Sequence, residues 1–228
     1  KVYPSYKFHK EIPNRWNGTI LLLAVKPQIF LDVAKEILEK KVKMNFIVSV
    51  MAGINTLTIK KNIKGSSEII RAMPNKGSEI MMGVTAIYSK NKLTKYKKKI
   101  IGNLFSPLGH CIWIRKESFM DAVTAISGSG PAYIFLFINT LIDIAKSYGF
   151  SNKVAREMVI FTATGALELV KQKSDIIELI EDVKSPGGTT EAAMKVLEEK
   201  QGINFFKILN NALNAAKNKS AEISNGVN

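Results

Sequence analysis

The run TILLLAV, at residues 19–25, is the stretch from which the fold can be worked out. It is continuously apolar after Thr19, Pro27 follows it closely, and apolar residues with helical spacing begin at Phe30. A continuous apolar run of this length is typical of a parallel strand that is covered on both faces. The run therefore predicts a buried parallel strand that leads directly into a helix.

The same alternation continues through the first half of the chain. Further strands are predicted at residues 45–50, 68–73, 80–88 and 111–114, with a short helix reaching residue 62 and a longer one at 92–105. Strands that alternate with helices through short connections are typical of a parallel α/β sheet.

The second half contains helical patterns and no strand candidate. Helices are predicted at residues 132–148, from Ser151 to about 172, at 175–183, at 191–200 with an end at Gly202, and at 204–223. The helix at 132–148 is apolar nearly all round, which predicts that it is buried. The sequence thus predicts an α/β domain over residues 1–119, followed by an all-α domain over residues 120–228.

Composition narrows the class of protein. The chain has 228 residues, of which 46% are hydrophobic, and its single cysteine is Cys111. A lone cysteine excludes an internal disulfide and favours a cytoplasmic location, where we expect Cys111 to be a small buried side chain. The sequence shows no signal-peptide core and no apolar run of membrane-spanning length. Because it begins without Met, we expect the chain to be incomplete.

The chain is strongly basic, with a formal net charge of +14. Only four of its 33 basic residues are Arg, so 33 − 4 = 29 are Lys. Base reading and forked phosphate contacts favour Arg, so the composition argues against nucleic acid as a partner. The composition favours solvated lysine faces, and a basic surface that attracts anionic ligands is the alternative.

Three predicted strand ends carry small or conformationally special residues. They are AVKP at residues 24–27, Ala52-Gly53, and Met73-Pro74-Asn75. In open α/β sheets ligands bind at the carboxyl ends of the strands, so these segments are candidate nucleotide contacts. The alternative for each is an ordinary loop, because Gly and Pro are common there.

Two glycine-rich segments flank predicted helices. SGSGP, at residues 127–131, joins the two halves, and close packing is the favoured interpretation over a phosphate loop. SPGGTT, at residues 185–190, precedes a helix that Thr189 or Thr190 can cap. The first turn of a helix attracts anions, which predicts a carboxylate site there, the alternative being an ordinary capped helix.

Taken in order, these motifs resemble the pyrroline-5-carboxylate reductase family. The resemblance rests on AVKPQ (24–28), Ala52-Gly53, RAMPN (71–75), DAVTAISGSGPAY (121–133) and DVKSPGGTTEAAMKVLEEK (182–200). It covers nearly the whole chain from about residue 19, and the last two segments are specific signatures.

The resemblance implies an enzyme that reduces 1-pyrroline-5-carboxylate to L-proline with NADPH or NADH, without a metal. It implies a Rossmann-type domain followed by a helical domain that forms a homodimer or a larger homo-oligomer. Thr190 would be catalytic, as the residue that hydrogen-bonds and protonates the ring nitrogen. The implied substrate contacts are Glu117, Ser185, Gly187, Gly188, Thr189 and Thr190. The implied cofactor contacts are Ala24, Val25, Lys26, Pro27, Ala52, Gly53, Pro74 and Asn75.

One family feature does not occur in the sequence. The family opens with a strand and a G-x-G-x-x-G-type turn that holds the cofactor pyrophosphate, and the 228 residues contain no such motif. We therefore expect an N-terminally truncated Rossmann domain. Three hypotheses follow: a working reductase whose N-terminal segment lies outside this sequence, a catalytically inactive relative that folds and dimerises without cofactor, or a basic surface-binding module.

Overall fold

A computed structural model describes residues 9–65, 67–173, 175–199 and 204–225. The described residues form two compact units. One contains the residues up to Ser129 together with those from Asn214 onwards, and the other is Gly130–Leu213. The boundary after residue 119 stays a prediction.

The first unit is built on a five-stranded sheet in the order β1-β2-β3-β4-β5. The strands are β1 (Asn17–Leu23), β2 (Lys43–Ser49), β3 (Glu68–Met73), β4 (Gly83–Ser89) and β5 (Gly109–Trp113). The helices are α1 (Phe30–Glu39), α2 (Thr56–Asn62), α3 (Lys95–Phe105) and the short α4 (Met120–Val123). The predicted α/β half followed by a helical half is confirmed.

The sheet is mixed, whereas the sequence predicted a parallel one. β1, β2 and β3 are parallel and β4 is parallel to β5, but β4 runs antiparallel to β3. The reason lies in residues 74–82, which connect β3 to β4 through a 3₁₀ turn at Lys76–Ile80. A parallel crossover needs a dozen or more residues, so this connection only allows the chain to turn back.

The core of the first unit lies on both faces of β2. Ile47 packs with Phe30 and Ile37 of α1 on one face, while Phe46 and Val48 pack on the other face with residues that include Ile101 of α3. Alternate residues of a strand point to opposite faces, so one central strand serves both layers. This confirms the parallel α/β packing over β1 to β3.

β1 is less buried than TILLLAV predicted. Leu23 is its only fully buried side chain, and Leu22 is 46% exposed. Within the described residues β1 pairs with β2 alone and so occupies an edge of the sheet. An edge strand has a neighbour on one side only, which explains the difference.

The second unit is helical. Its helices are α5 (Gly130–Ser147), α6 (Asn152–Gln172), α7 (Ile176–Val183), α8 (Thr189–Leu197) and the beginning of α9 (Phe205–Asn225). The Ser151 hydroxyl accepts the N–H of Val154 at 3.4 Å, so Ser151 caps α6 as predicted. The helix end predicted at Gly202 lies outside the described residues.

The prediction that α5 is buried is wrong for the single chain. Only Ile142 and Ala145 of α5 are buried, while Phe135 is 61% and Leu136 67% exposed. The buried core that the structure gives to this unit is small, consisting of Ile142, Ala145 and Ala155. An all-round apolar helix requires cover, and the described residues of this chain leave most of α5 uncovered.

SGSGP is helical rather than a connecting loop. A π turn at Thr124–Gly128 joins α4 to α5, which gives one helical run from Glu117 to Ser147. By length and composition alone this run is apolar enough to cross a membrane, whereas the sequence predicted no such segment. The difference arises because the helix continues through the glycines into α4.

Candidate active site

The carboxyl ends of β1, β2 and β3 lie at the same edge of the sheet, because the three strands are parallel. After β1, the Lys26 backbone is extended (φ −65°, ψ 141°) and Pro27 begins a 3₁₀ turn. This is the extended backbone that the Lys-Pro pair predicts. The Lys26 side chain is exposed, so this strand end is open to a ligand.

After the end of β2, both the backbone conformation and the packing at position 53 require a glycine. Its φ is +77°, and a Cβ atom there would lie 2.7 Å from Cγ2 of Ile223. Ile223 belongs to the part of α9 that joins the first unit. Gly53 is therefore buried against α9, while Ala52 remains half-exposed beside it.

At the end of β3, the Asn75 side chain holds neighbouring backbone in place. Its Oδ1 accepts the N–H of Val84 at 3.0 Å, and its Nδ2 donates to Oγ of Ser127 at 3.4 Å. A Cβ atom on Gly128 would lie 2.8 Å from Cε of Met73. This contact supports the packing interpretation of SGSGP.

Glu117 lies among groups of its own chain, and both of its oxygens are bonded. Oε1 accepts the Thr56 N–H at 2.7 Å and lies 3.1 Å from Nη1 of Arg71, while Oε2 accepts the Thr56 hydroxyl at 2.8 Å. Burial and the negative charge of Glu117 raise the pKa of Tyr88. The carboxylate thus joins the start of α2, the middle of β3 and the turn before α4.

Sequence reasoning did not single out Arg71 or Thr56 as partners of Glu117. One signal for Arg71 was available, since it is one of four arginines and is the cation within the apolar strand EIIRAM. A charge in the middle of a buried strand implies a buried partner. Thr56 carried no comparable signal.

The SPGGTT loop belongs to the second unit and leads into α8. Gly188 is the residue before the helix, and no side chain caps the helix there. The prediction that Thr189 or Thr190 caps α8 is wrong, because both residues already lie inside the first turn. The N–H groups of this turn have no partner within the helix, so they remain available to an anion.

The loop is shaped by two short contacts. The Gly188 N–H donates to the Ser185 carbonyl at 3.0 Å, and the Gly187 N–H, at φ +71°, donates to Oε2 of Glu191 at 2.6 Å. This backbone hydrogen bond, and then Lys195, hold the pKa of Glu191 below its usual range. Within the described residues the Thr190 hydroxyl has no hydrogen-bond partner, which leaves it available to a ligand.

Comparison with known proteins gives the family. The family model for pyrroline-5-carboxylate reductase dimerisation matches residues 117–223. The pyrroline-5-carboxylate reductase of Pseudomonas aeruginosa is 33% identical over 209 residues, which span 91% of this chain and 76% of that protein. The chain belongs to the pyrroline-5-carboxylate reductase family.

Other members of the family are similar to this chain in sequence and in structure. The pyrroline-5-carboxylate reductase of Synechocystis is 36% identical over 205 residues, or 90% of this chain and 74% of that protein. The crystal structure of Plasmodium falciparum pyrroline carboxylate reductase with NADP bound superposes with a TM-score of 0.80 at 31% identity, over 90% of this chain and 77% of that one. The family therefore extends over both units, and the individual site residues stay predictions.

Proposed function

We propose that this chain reduces the C=N bond of 1-pyrroline-5-carboxylate to give L-proline, with NADPH or NADH as the hydride donor. The observation that carries the proposal is the uncapped start of α8, which presents backbone N–H groups beside the free hydroxyl of Thr190. This arrangement occurs within the segment that matches the family.

The substrate carboxylate fits the start of α8. The N–H groups of Thr189 and Thr190 point out of the first turn, where the helix dipole also favours a negative charge. Gly187 and Gly188 keep the loop compact through their bonds to Glu191 and Ser185. Ser185, Gly187, Gly188, Thr189 and Thr190 are therefore proposed as the substrate loop.

The chemistry needs a hydride on the imine carbon and a proton on the ring nitrogen. The nicotinamide cofactor supplies the hydride when it is bound. The Thr190 hydroxyl hydrogen-bonds to the ring nitrogen and passes it a proton, which the hydroxyl regains from solvent water, so that the product is a secondary amine and Thr190 is unchanged. The reaction depends mostly on positioning two bound partners, and no metal takes part.

The residues at the strand ends fit the nicotinamide end of the cofactor. Ala24 and Lys26 are exposed after β1, and Val25, Pro27, Ala52, Pro74 and Asn75 are half-buried around the same edge. Gly53 keeps the turn after β2 tight enough for α9 to pack there. The glycine-rich turn that holds a pyrophosphate elsewhere in this fold class does not occur in the 228 residues.

The same proposal includes self-association through the helical unit. Phe137, Leu141, Ile144, Tyr148, Phe150 and Met158 line an open apolar groove of about 460 Å³. Apolar side chains that line one open groove form a contiguous exposed patch, which favours an interface. A homodimer, or a larger ring built from such dimers, would cover it. A cytoplasmic location stays a prediction.

The experiment is a reductase assay on the purified 228-residue chain. NADPH and NADH oxidation is followed by absorbance with 1-pyrroline-5-carboxylate present, and cofactor binding is followed separately by fluorescence. Thr190→Ala is expected to lower kcat by about a hundredfold, within the range for a lost proton donor, while the circular dichroism spectrum stays the same. Unchanged turnover would remove Thr190 from the mechanism.

The assay also separates the alternative of a catalytically inactive relative that folds and dimerises without binding cofactor. A folded dimer that binds neither NADPH nor NADH would support that alternative. A chain that binds cofactor but does not oxidise it with substrate present would contradict the proposed roles of α8 and Thr190.

A further inference from the structure

A basic groove lies at the carboxyl ends of β4 and β5. It has a volume of about 400 Å³, and its floor and walls include Lys90, Lys92, Lys98, Trp113 and Arg115. The volume lies within the range of small-ligand pockets. No substrate or cofactor residue proposed above contributes to it.

The four cationic side chains of this groove have no carboxylate within salt-bridge distance among the described residues. The contrast with Lys97 is informative, since Lys97 lies 3.1 Å from Glu68 and is thereby neutralised. Glu68 is also bonded to Asn91, and these contacts lower its pKa. The positive charge around the groove is therefore uncompensated, and unpaired like charges that face one cavity attract anions.

The groove is separate from the candidate active site. β4 runs antiparallel to β3, and Ser89 at the end of β4 pairs with Ile70 near the start of β3. The carboxyl ends of β4 and β5 therefore lie where the strands β1 to β3 begin, at the opposite end of the strands from the carboxyl ends of β1 to β3. A ligand in the groove would not occupy the proposed nicotinamide site.

The walls of the groove are held by contacts within the chain. Leu93 is buried in the core, and the Ser89 hydroxyl donates to the Asn91 carbonyl at 3.0 Å. On the other wall, Nζ of Lys98 lies 5.2 Å from the centre of the Trp113 ring, which is a cation–π contact. The site is thus formed before any ligand arrives.

We propose that this groove binds the phosphate chain of a small polyphosphate, such as a nucleoside triphosphate. Lysine ammonium groups and the Arg115 fork bind phosphate oxygens through charge-assisted hydrogen bonds, and several cations around one cavity suit several linked phosphates. A polynucleotide is the less suitable occupant. Surfaces of that kind follow the backbone with a series of stacking aromatics, and here the groove has one indole that Lys98 already covers.

Trp113 provides the measurement. The chain has two tryptophans, Trp16 and Trp113, so Trp16→Phe leaves a single reporter inside the groove. This protein is titrated with inorganic triphosphate and with ATP at constant ionic strength. A saturable fluorescence change is expected, with a dissociation constant of about 1 mM or tighter.

Two triple variants in this background test the location. One carries Lys90→Gln, Lys92→Gln and Arg115→Gln, and the matched control carries Lys60→Gln, Lys61→Gln and Lys153→Gln. All six side chains are exposed, so neither set is expected to change the melting temperature much. The groove variant should bind at least about tenfold more weakly, because three charge-assisted contacts are lost, while the control binds like the parent.

Equal binding by both triple variants would overturn the proposal, since it would show attraction to net charge alone. The absence of saturation up to about 10 mM, a very weak affinity, would also overturn it. A third result would also overturn it: oligonucleotides that bind more tightly as their length increases, while triphosphate does not saturate. That result would indicate a surface for a polynucleotide. Arg115→Gln alone serves as the second variant if the triple variant fails to fold.

Discussion

The Arg71 guanidinium lies 3.1 Å from the Glu117 carboxylate, although 46 positions separate the two residues in sequence. The Arg71 side chain is only 5% exposed and that of Glu117 24%. Within the described residues Nε of Arg71 has no hydrogen-bond partner, so Glu117 is its main compensation. We infer that the pair fixes β3 relative to the start of α2, and that Glu117 acts by positioning.

Glu117→Ala is expected to destabilise the first unit. It leaves the buried guanidinium without its partner, which costs about 3 kcal/mol in the free energy of unfolding. Both tryptophans lie in this unit, so urea unfolding followed by their fluorescence is the measurement.

The control for Glu117→Ala is Glu79→Ala. The Lys76–Glu79 pair is exposed, with side chains 61% and 66% accessible, so its loss should change stability by less than about 0.5 kcal/mol. Equal effects of the two substitutions would show that the Arg71–Glu117 pair does not hold the unit together.

Gly188→Ala is expected to raise the KM for 1-pyrroline-5-carboxylate. The φ of Gly188 is −84°, which alanine adopts, but an added Cβ would clash with Oγ of Ser185 and lie 3.0 Å from its carbonyl oxygen. The loop must then open, which moves the N–H groups proposed for the substrate carboxylate. A KM that stays at the parent value would place the carboxylate elsewhere.

Two variants separate a clash from a general effect of alanine. Ser185→Ala combined with Gly188→Ala removes the nearest clashing atom and should recover part of the KM. Gly165→Ala, in the interior of α6, meets nothing within 4 Å and is expected to stabilise the helix slightly without changing KM.

The sheet shows how far the sequence predicts this fold. Apolar runs located each of the five strands that the structure describes, because burial dictates the residue types along a strand. Strand direction is not encoded in a single run, so the antiparallel β4 became visible only through the short connection at residues 74–82. The edge position of β1 depends on which strands pair, and a run such as TILLLAV does not report that.

The candidate site also contains parts that the sequence predicted and parts that it did not. The SPGGTT loop and the strand ends were predicted because each is a contiguous motif with an unusual backbone. The Thr56–Glu117–Arg71 contacts join three distant segments, and no local pattern records such a pair. For α5, the apolar composition predicted burial, but most of the helix is exposed in the single chain. Apolar composition alone does not specify which residues cover a helix.

The pKa of Glu191 gives a test of the loop geometry by titration. The Gly187 N–H, first, and Lys195, second, lower this pKa below the ordinary value of 4.5. Stabilisation from a lowered carboxyl pKa is complete above the ordinary value and is lost as the pH falls through the folded-state pKa. NMR of the side-chain carboxyl groups should therefore give Glu191 a pKa below its usual range. Once the Glu191 carboxylate is protonated, the amide hydrogen of Gly187 should exchange faster with solvent.

Lys195→Gln should raise the pKa of Glu191 only in part, because the larger contribution comes from the Gly187 N–H. Lys171→Gln is the control, since Lys171 pairs with Glu168 on α6 and does not contribute to the pKa of Glu191. A Glu191 that titrates at its ordinary value in the parent would mean that the Gly187 bond does not persist in solution.

Phe161→Asp is expected to weaken self-association. Phe161 lies on α6 and is 75% exposed in the single chain, which is a high exposure for an aromatic side chain. If a second copy covers this surface, a carboxylate there loses its hydration without a partner, and the cost falls on the dimer.

Lys153→Asp changes an exposed polar residue of the same helix and serves as the control. Light scattering across a dilution series should show Phe161→Asp dissociating at concentrations where the parent and the control remain associated. Identical dissociation curves for all three proteins would exclude this part of α6 from the interface.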